Sequence, residues 1–249
     1  MASALARISQ LPQLPGFPSS RGMKKSLLHA NALARSPRIR SAAAGMEVEV
    51  KLTLPDDRSH ARLAEILLPY FKIKHEQENL FFDGANAELS ARRAVLRLRF
   101  YNGDARCVVS LKARAILENG VSRVEESEED LDAATGRECV GDPSKLPAVT
   151  SAIVQRVVRE FGVTEFVCLG GFKNTRQVFE WEGEKLELDE TRYAFGTAYE
   201  VECETPDPER VRAMLEEFLG VHGIPFSHSV ASKFAVFRSG RLPSDEMME

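Results

Sequence analysis

The sequence predicts an α+β fold whose centre is a closed antiparallel eight-stranded β-barrel, a tunnel with helices packed outside it. Three observations lead there. Strand after strand sets one apolar face against one charged face: Glu47, Glu49 and Lys51 against Val48, Val50 and Leu52, then Arg97 and Arg99 against Leu96, Leu98 and Phe100. Glu187 and Asp189 alternate with Leu186 and Leu188, and Glu200, Glu202 and Glu204 with Val201 and Cys203. Short turn signals join most of these segments, as antiparallel hairpins require. Finally, so much charge on strand faces suits closure, because a closed sheet leaves an interior face that can be polar and wet.

The elements follow in order. A first strand, about 46 to 54, stops at Pro55, and Asp56 or Asp57 can cap a helix carrying Leu63, Ile66 and Leu67 as far as Pro69. A second strand, about 71 to 83, contains Asn79-Leu80-Phe81-Phe82-Asp83. Segments 92 to 101 and 106 to 114 pair across Asn102-Gly103, and Asn119-Gly120 leads into a strand at 121 to 131. An acidic, Pro-containing connection precedes a helix over about 148 to 161, whose apolar side is Ile153, Val154, Val157 and Val158. Strands resume at 166 to 169 and 175 to 181, with Gly170-Gly171 read as a bend between them. Glu182-Gly183 turns the chain into a strand at 185 to 191, and Gly196 turns it into one at 199 to 205. Asp207 opens a helix with Val211, Met214, Leu215 and Phe218 that ends near Gly220, and a short helix over about 232 to 239 carries Phe234 and Phe237.

Composition narrows the function classes. Residues 1 to 45 hold five Arg, two Lys and no acid, a charge of +7, so the rest of the chain carries −11 within a net charge of −4. An acidic body is a poor partner for nucleic acid or an anionic membrane. No stretch approaches the ~20 apolar residues that span a bilayer. The leading segment, rich in Ser, Ala, Leu and Arg, reads as a transit peptide, chloroplast ahead of mitochondrion. The alternative is a disordered extension with Met46 as the working start of a cytoplasmic protein. Cys107, Cys139, Cys168 and Cys203 are scattered without metal-ligand spacing and fit buried free thiols.

If the charged faces point inward, unpaired carboxylates would repel one another and take up protons. Hard divalent cations resolve that conflict, since Mg²⁺ and Mn²⁺ favour carboxylate oxygen and water. Glu47, Glu49, Glu187, Asp189, Glu200 and Glu202 are then candidate ligands, and Lys51, Arg97, Arg99, Lys112, Arg176 and Lys233 form an opposing set suited to phosphate oxygens. From alternation alone, solvated outer faces of a sheet are the competing reading. Parity in the strand at 121 to 131 groups Glu126 with Glu128, and Arg123 with Glu125, unless a bulge intervenes. Arg114 and Lys173 read as surface side chains, His60, His75, His222 and His228 as surface or core, and Trp181 as packing.

Glu47-x-Glu49-x-Lys51 followed by these charged strands closely resembles the CYTH family, the triphosphate tunnel metalloenzymes, over residues 46 to 242, leaving 243 to 249 as a tail. The phrases Val167-Cys168-Leu169-Gly170-Gly171-Phe172 and Arg92-Arg93-Ala94-Val95-Leu96-Arg97-Leu98-Arg99 look like the plant inorganic tripolyphosphatase branch. The resemblance implies a metal-dependent hydrolase of small triphosphates that prefers tripolyphosphate and releases its terminal phosphate by attack of a metal-activated water. It implies Mg²⁺, with Mn²⁺ as an alternative and two ions in all, on Glu47, Glu49, Glu126, Glu128, Glu187, Asp189, Glu200 and Glu202. It implies substrate binding by Lys51, Arg97, Arg99, Lys112, Arg176 and Lys233. Glu49, Lys51 and Lys233 are the candidate catalytic groups, the lysines as proton-transfer partners should burial among cations lower their pKa. The expected partner is the small triphosphate alone, bound by a monomer. A class IV-type adenylate cyclase or a thiamine triphosphatase on the same fold, and a non-catalytic polyphosphate-binding module, are the alternatives.

Overall fold

A computed structural model describes residues 45–243. Eight antiparallel strands close into a barrel: β1 (Gly45–Leu54), β2 (Phe71–Gly84), β3 (Ala94–Tyr101), β4 (Arg106–Glu118), β5 (Val121–Leu131), β6 (Phe166–Trp181), β7 (Glu184–Tyr193) and β8 (Gly196–Glu204). Their order around the wall is β5-β4-β3-β2-β6-β7-β8-β1, and β1 returns to β5 with Glu47 opposite Val124 and Glu49 opposite Ser122. β1 serves both neighbours in turn, its first half pairing β5 and its second half β8, where Lys51 faces Glu202. A two-residue strand, β9 (Ser227–His228), joins β1 beside Leu52 and Thr53.

The apolar faces point outward and are covered by helices. Val50, Leu52, Leu186, Leu188 and Val201 pack under α1 (Asp57–Leu67) and α4 (Pro208–Val221), meeting Leu63, Leu67, Val211 and Leu215. Leu96, Leu98, Phe100, Val109 and Leu111 form a second core with Cys139 of α2 (Ala133–Gly141) and Ile153 and Val154 of α3 (Ala152–Arg156). Each fully buried Leu or Phe in these layers contributes about 1.5–3 kcal/mol. The wall therefore reverses the usual order, with its oil outside and its charge inside. A third cluster, Phe81, Phe172, Tyr193 and Val236 with Phe234 and Phe237, seats the short helix α5 (Lys233–Ser239), so that the first residue of α5 reaches the lumen.

Several sequence expectations need correction. The acidic connection contains α2, and the helix expected from 148 runs over Ala152–Arg156 and loosens into a π-helical turn at Val157–Phe161. The two strands drawn on either side of Gly170-Gly171 are one strand, β6, with a bulge that shifts its register against Phe81 and Phe82. Leu169 is the extra residue, Gly170 beside it has φ +85°, and Gly171 lets β2 come close, since a Cβ there would lie 1.7 Å from the Asn79 carbonyl oxygen. The strand expected from Arg92 begins at Ala94, after Arg93 adopts a left-handed conformation. The predicted leader, residues 1 to 45, lies outside the described residues except Gly45, which opens β1 and pairs with Glu126. Of the predicted tail, 244 to 249 also lie outside them. Among the described residues no helix is long and apolar enough to cross a membrane.

Candidate active site

The barrel encloses a cavity of about 680 Å³. Of the sequence-predicted site residues, all but Asp189 and Glu200 line it, and those two touch it through Lys233. Two-residue periodicity accounts for this: residues 47, 49 and 51 of β1 point inward, as do 97 and 99 of β3, 126 and 128 of β5, and 187 and 202 of β7 and β8. Arg123 and Glu125 point out, to Glu209 and Arg156, as parity predicts. Arg114 shares parity with Lys112 but is 85% exposed, because the bulge between Ala113 and Ile116 turns it away from the lumen.

The charges fall into two groups. In the first, the Lys233 ammonium lies 3.0 Å from Asp189 Oδ2, 2.7 Å from Glu200 Oε2 and 2.5 Å from Glu202 Oε1. Lys51 contacts Glu202 and is 2.9 Å from Glu49. Arg176 grips Asp189 with two parallel hydrogen bonds of 2.8 and 2.6 Å, and also reaches Glu202 at 2.6 Å and Glu187. Ser229 Oγ donates to Glu200 Oε1 at 3.0 Å. In the second group, Lys112 lies 2.6 Å from Glu47 and 3.1 Å from Glu126, while Arg97 reaches Glu128 at 3.2 Å and Glu126 at 3.4 Å.

Burial and pairing set the protonation states in opposite directions. Burial works to raise Asp189, yet the adjacent Arg176 and Lys233 hold its carboxyl down at about 2. Burial pushes Glu126 up to about 8, with Lys112 opposing and a hydrogen bond to Glu47 assisting. That same bond and Lys112 outweigh the burial of Glu47 and hold it at about 2. Glu49 is raised by burial in spite of Lys51. Lys51 and Lys233 both shift upward, since Glu202 with Glu49, and Asp189 with Glu200, outweigh desolvation. The proton-transfer expectation for these lysines supposes a pKa lowered by neighbouring cations, whereas the neighbours in the structure are mainly carboxylates, which act to raise it.

Among the described residues no three His, Cys, Asp or Glu side chains are grouped as a ready metal cage, because each carboxylate of the first group already faces a Lys or Arg. The donor set nevertheless fits a hard divalent ion. It offers carboxylate oxygens, and burial raises Glu49 and Glu126 in spite of the lysines beside them, so a hard cation there would favour their charged forms.

The lumen also holds neutral residues that the charge pattern passed over: Gln77, Asn79, Tyr101, Ser110 and Asn174. Asn174 donates to Gln77 and Asp189, and Asn79 accepts from Arg99. Parity could have found three of them, since Tyr101, Ser110 and Asn174 fall in phase with Arg99, Lys112 and Arg176, whereas Glu76 and Glu78 mask the alternation around Gln77 and Asn79.

The CYTH domain model matches residues 45–234 of the chain. A solved structure from Hippeastrum, of an adenylyl cyclase by name for which a dominant triphosphatase activity is described, is 52% identical. The match covers 79% of this chain and 97% of that one at a TM-score of 0.77. A Bacillus halodurans protein assigned as an adenylate cyclase matches at 22% identity, 78% and 98% coverage and a TM-score of 0.59. A Pyrococcus horikoshii protein does so at 19% identity, 78% and 99% coverage and a TM-score of 0.51. These last two speak for the fold alone. No curated protein matches the chain.

Proposed function

We propose that this chain, which belongs to the CYTH domain family, is a metal-dependent triphosphatase acting on small triphosphates, with inorganic tripolyphosphate as the preferred substrate. The observation that carries the reading is the lumen itself. Lys51, Arg97, Arg99, Lys112, Arg176 and Lys233 converge on a cavity of about 680 Å³ whose walls also present the carboxylates Glu47, Glu49, Glu126, Glu128, Glu187 and Glu202. A compact polyanion satisfies the cations, and the carboxylates give a cation somewhere to sit beside it. The dominant triphosphatase activity of the 52%-identical Hippeastrum protein supports the same reading.

Arg97 and Arg99 would hold phosphate oxygens with planar forks, and Lys112 and Arg176 would add charge on either side. Lys51 and Lys233, kept protonated by their carboxylate neighbours, would stabilise the charge that grows on the departing phosphate rather than accept protons. Glu47, Glu49, Glu126 and Glu128, together with Glu187, Asp189, Glu200 and Glu202, would hold Mg²⁺, or Mn²⁺, as one or two ions. Such an ion neutralises phosphate oxygens and acidifies water.

Purified protein incubated with tripolyphosphate, ATP and thiamine triphosphate, with and without Mg²⁺ or Mn²⁺, tests the proposal. Orthophosphate release, fastest from tripolyphosphate and abolished by chelator, is expected. Cyclic AMP with pyrophosphate would replace the triphosphatase reading by a cyclase, the activity in the Hippeastrum protein's name. Tight binding without turnover would replace it by a binding module.

A further inference from the structure

Of the six cations assigned above to phosphate, five are each within 4 Å of a carboxylate, but Arg99 makes no ion pair among the described residues. Neutral oxygens hold it instead. Its Nε donates to Asn79 Oδ1 at 2.8 Å, and one terminal nitrogen donates to the Tyr101 hydroxyl at 3.3 Å. Asn79 is 1% exposed, and its Nδ2 has no hydrogen-bond partner. The orientation of the amide is settled by chemistry: guanidinium Nε can only donate, so the amide oxygen must face it and the amide nitrogen is left over. An orphaned buried donor is a net cost to the fold. An Asp of the same shape would accept equally well from Arg99 and would leave no donor behind. It would also cancel the charge of Arg99, as carboxylates do for each of the other five cations.

We infer that Asn79 is a positioning residue that orients Arg99 with a neutral acceptor, so that this guanidinium stays free of a contacting carboxylate and open to a phosphate oxygen. The inference deepens the phosphate-binding reading above and rests on it. Arg97, Lys112 and Arg176 must loosen a carboxylate before they can bind an anion, whereas Arg99 gives up nothing.

The test is a variant series read by calorimetric binding of tripolyphosphate in the presence of chelator, alongside steady-state hydrolysis with Mg²⁺. Asn79→Asp, which keeps the acceptor and adds a charge, should weaken tripolyphosphate binding about tenfold or more and raise KM with little change in kcat. Asn79→Ser, a neutral acceptor, should stay within about threefold of the parent, and Asn79→Ala should fall between the two. In an Arg99→Met background, Asn79→Asp should add less than about threefold, because the charge it would cancel is gone. Asn79→Asp binding like the parent would overturn the inference, as would Asn79→Ser weakening as much as Asp. A full additional loss in the Arg99→Met background would also overturn it, by showing that the carboxylate repels phosphate directly. Should the parent bind tripolyphosphate without hydrolysing it, the triphosphatase proposal falls, while the binding series still decides the role of Asn79.

Discussion

Replacing Arg176 by Met removes the guanidinium that organises the densest charge cluster of the lumen while keeping a long side chain. Asp189, fully buried, then loses its two-pronged partner, and Glu187 and Glu202 lose a contact each. Two magnitudes bracket the effect. Bringing the Asp189 carboxyl from an ordinary 3.8 down to about 2 corresponds to roughly 2–3 kcal/mol, shared between Arg176 and Lys233. Breaking a buried ion pair by deleting one partner costs about 3–5 kcal/mol, because a carboxylate is stranded. With three carboxylates affected, the upper range applies: we expect Arg176→Met to lose about 3–5 kcal/mol at pH 7, lowering the thermal midpoint by roughly 6–20 °C for a domain of this size. The sign with pH follows from the depressed pKa of Asp189. Its stabilisation is whole above the unfolded value, near ~4, and is lost as pH falls towards 2, so parent and variant should converge in acid. Urea unfolding followed by circular dichroism, at pH 7 and at steps below pH 4, measures this. Adding Asp189→Asn should cost much less than the sum of the single changes, with a coupling on the order of 2 kcal/mol. A variant within 1 kcal/mol of the parent at pH 7 (roughly the ceiling for exposed pairs), or strict additivity in the double variant, would refute the idea that Arg176 holds these carboxylates together.

Glu200→Ala and Glu202→Ala should each lower turnover on the order of 10²-fold or more, and near-parental rates at saturating Mg²⁺ would remove them from the metal set. Arg97→Ala should raise KM for tripolyphosphate and lower kcat, and Arg97→Lys should stay impaired because a point charge does not replace a fork. Parental kinetics for Arg97→Lys would take this side chain off the phosphate path. Deleting residues 1 to 44, which spares Gly45 and its pairing with Glu126, should leave hydrolysis unchanged, and the removed segment should carry a reporter into plastids. A cytosolic reporter would favour the reading of Met46 as the working start.

The inward faces were legible in the sequence wherever alternation ran unbroken. Glu47-x-Glu49-x-Lys51 and Arg97-x-Arg99 sit on regular strands, and one apolar face per strand is enough to send the other side into the lumen once the sheet closes. Legibility failed where a single residue broke the count. The bulge at Leu169, beside Gly170-Gly171, passes for a bend because the close approach of the Asn79 carbonyl to Gly171 belongs to another strand, whereas Arg114, read as a surface side chain, is turned outward by the bulge after Ala113. The helix α2 was hidden for a similar reason. Gly136 is a poor helix former, but a larger residue there would press on Cys107 and Phe100, so packing rather than propensity selects it.

By itself, then, the sequence determined the strand faces, the hairpin order and the kinds of charge in the lumen, because period-two alternation and turn chemistry are local. Only the tertiary structure decided which charge meets which. Closure between β1 and β5 brings Glu47 to Lys112, and α5 carries Lys233 among Asp189, Glu200 and Glu202. Those meetings raise the two lysines, lower Asp189 and leave Arg99 on neutral oxygens. A side chain's pKa and its freedom to bind a phosphate depend on charges a few ångströms away in space, and along this chain those charges lie up to 151 residues apart.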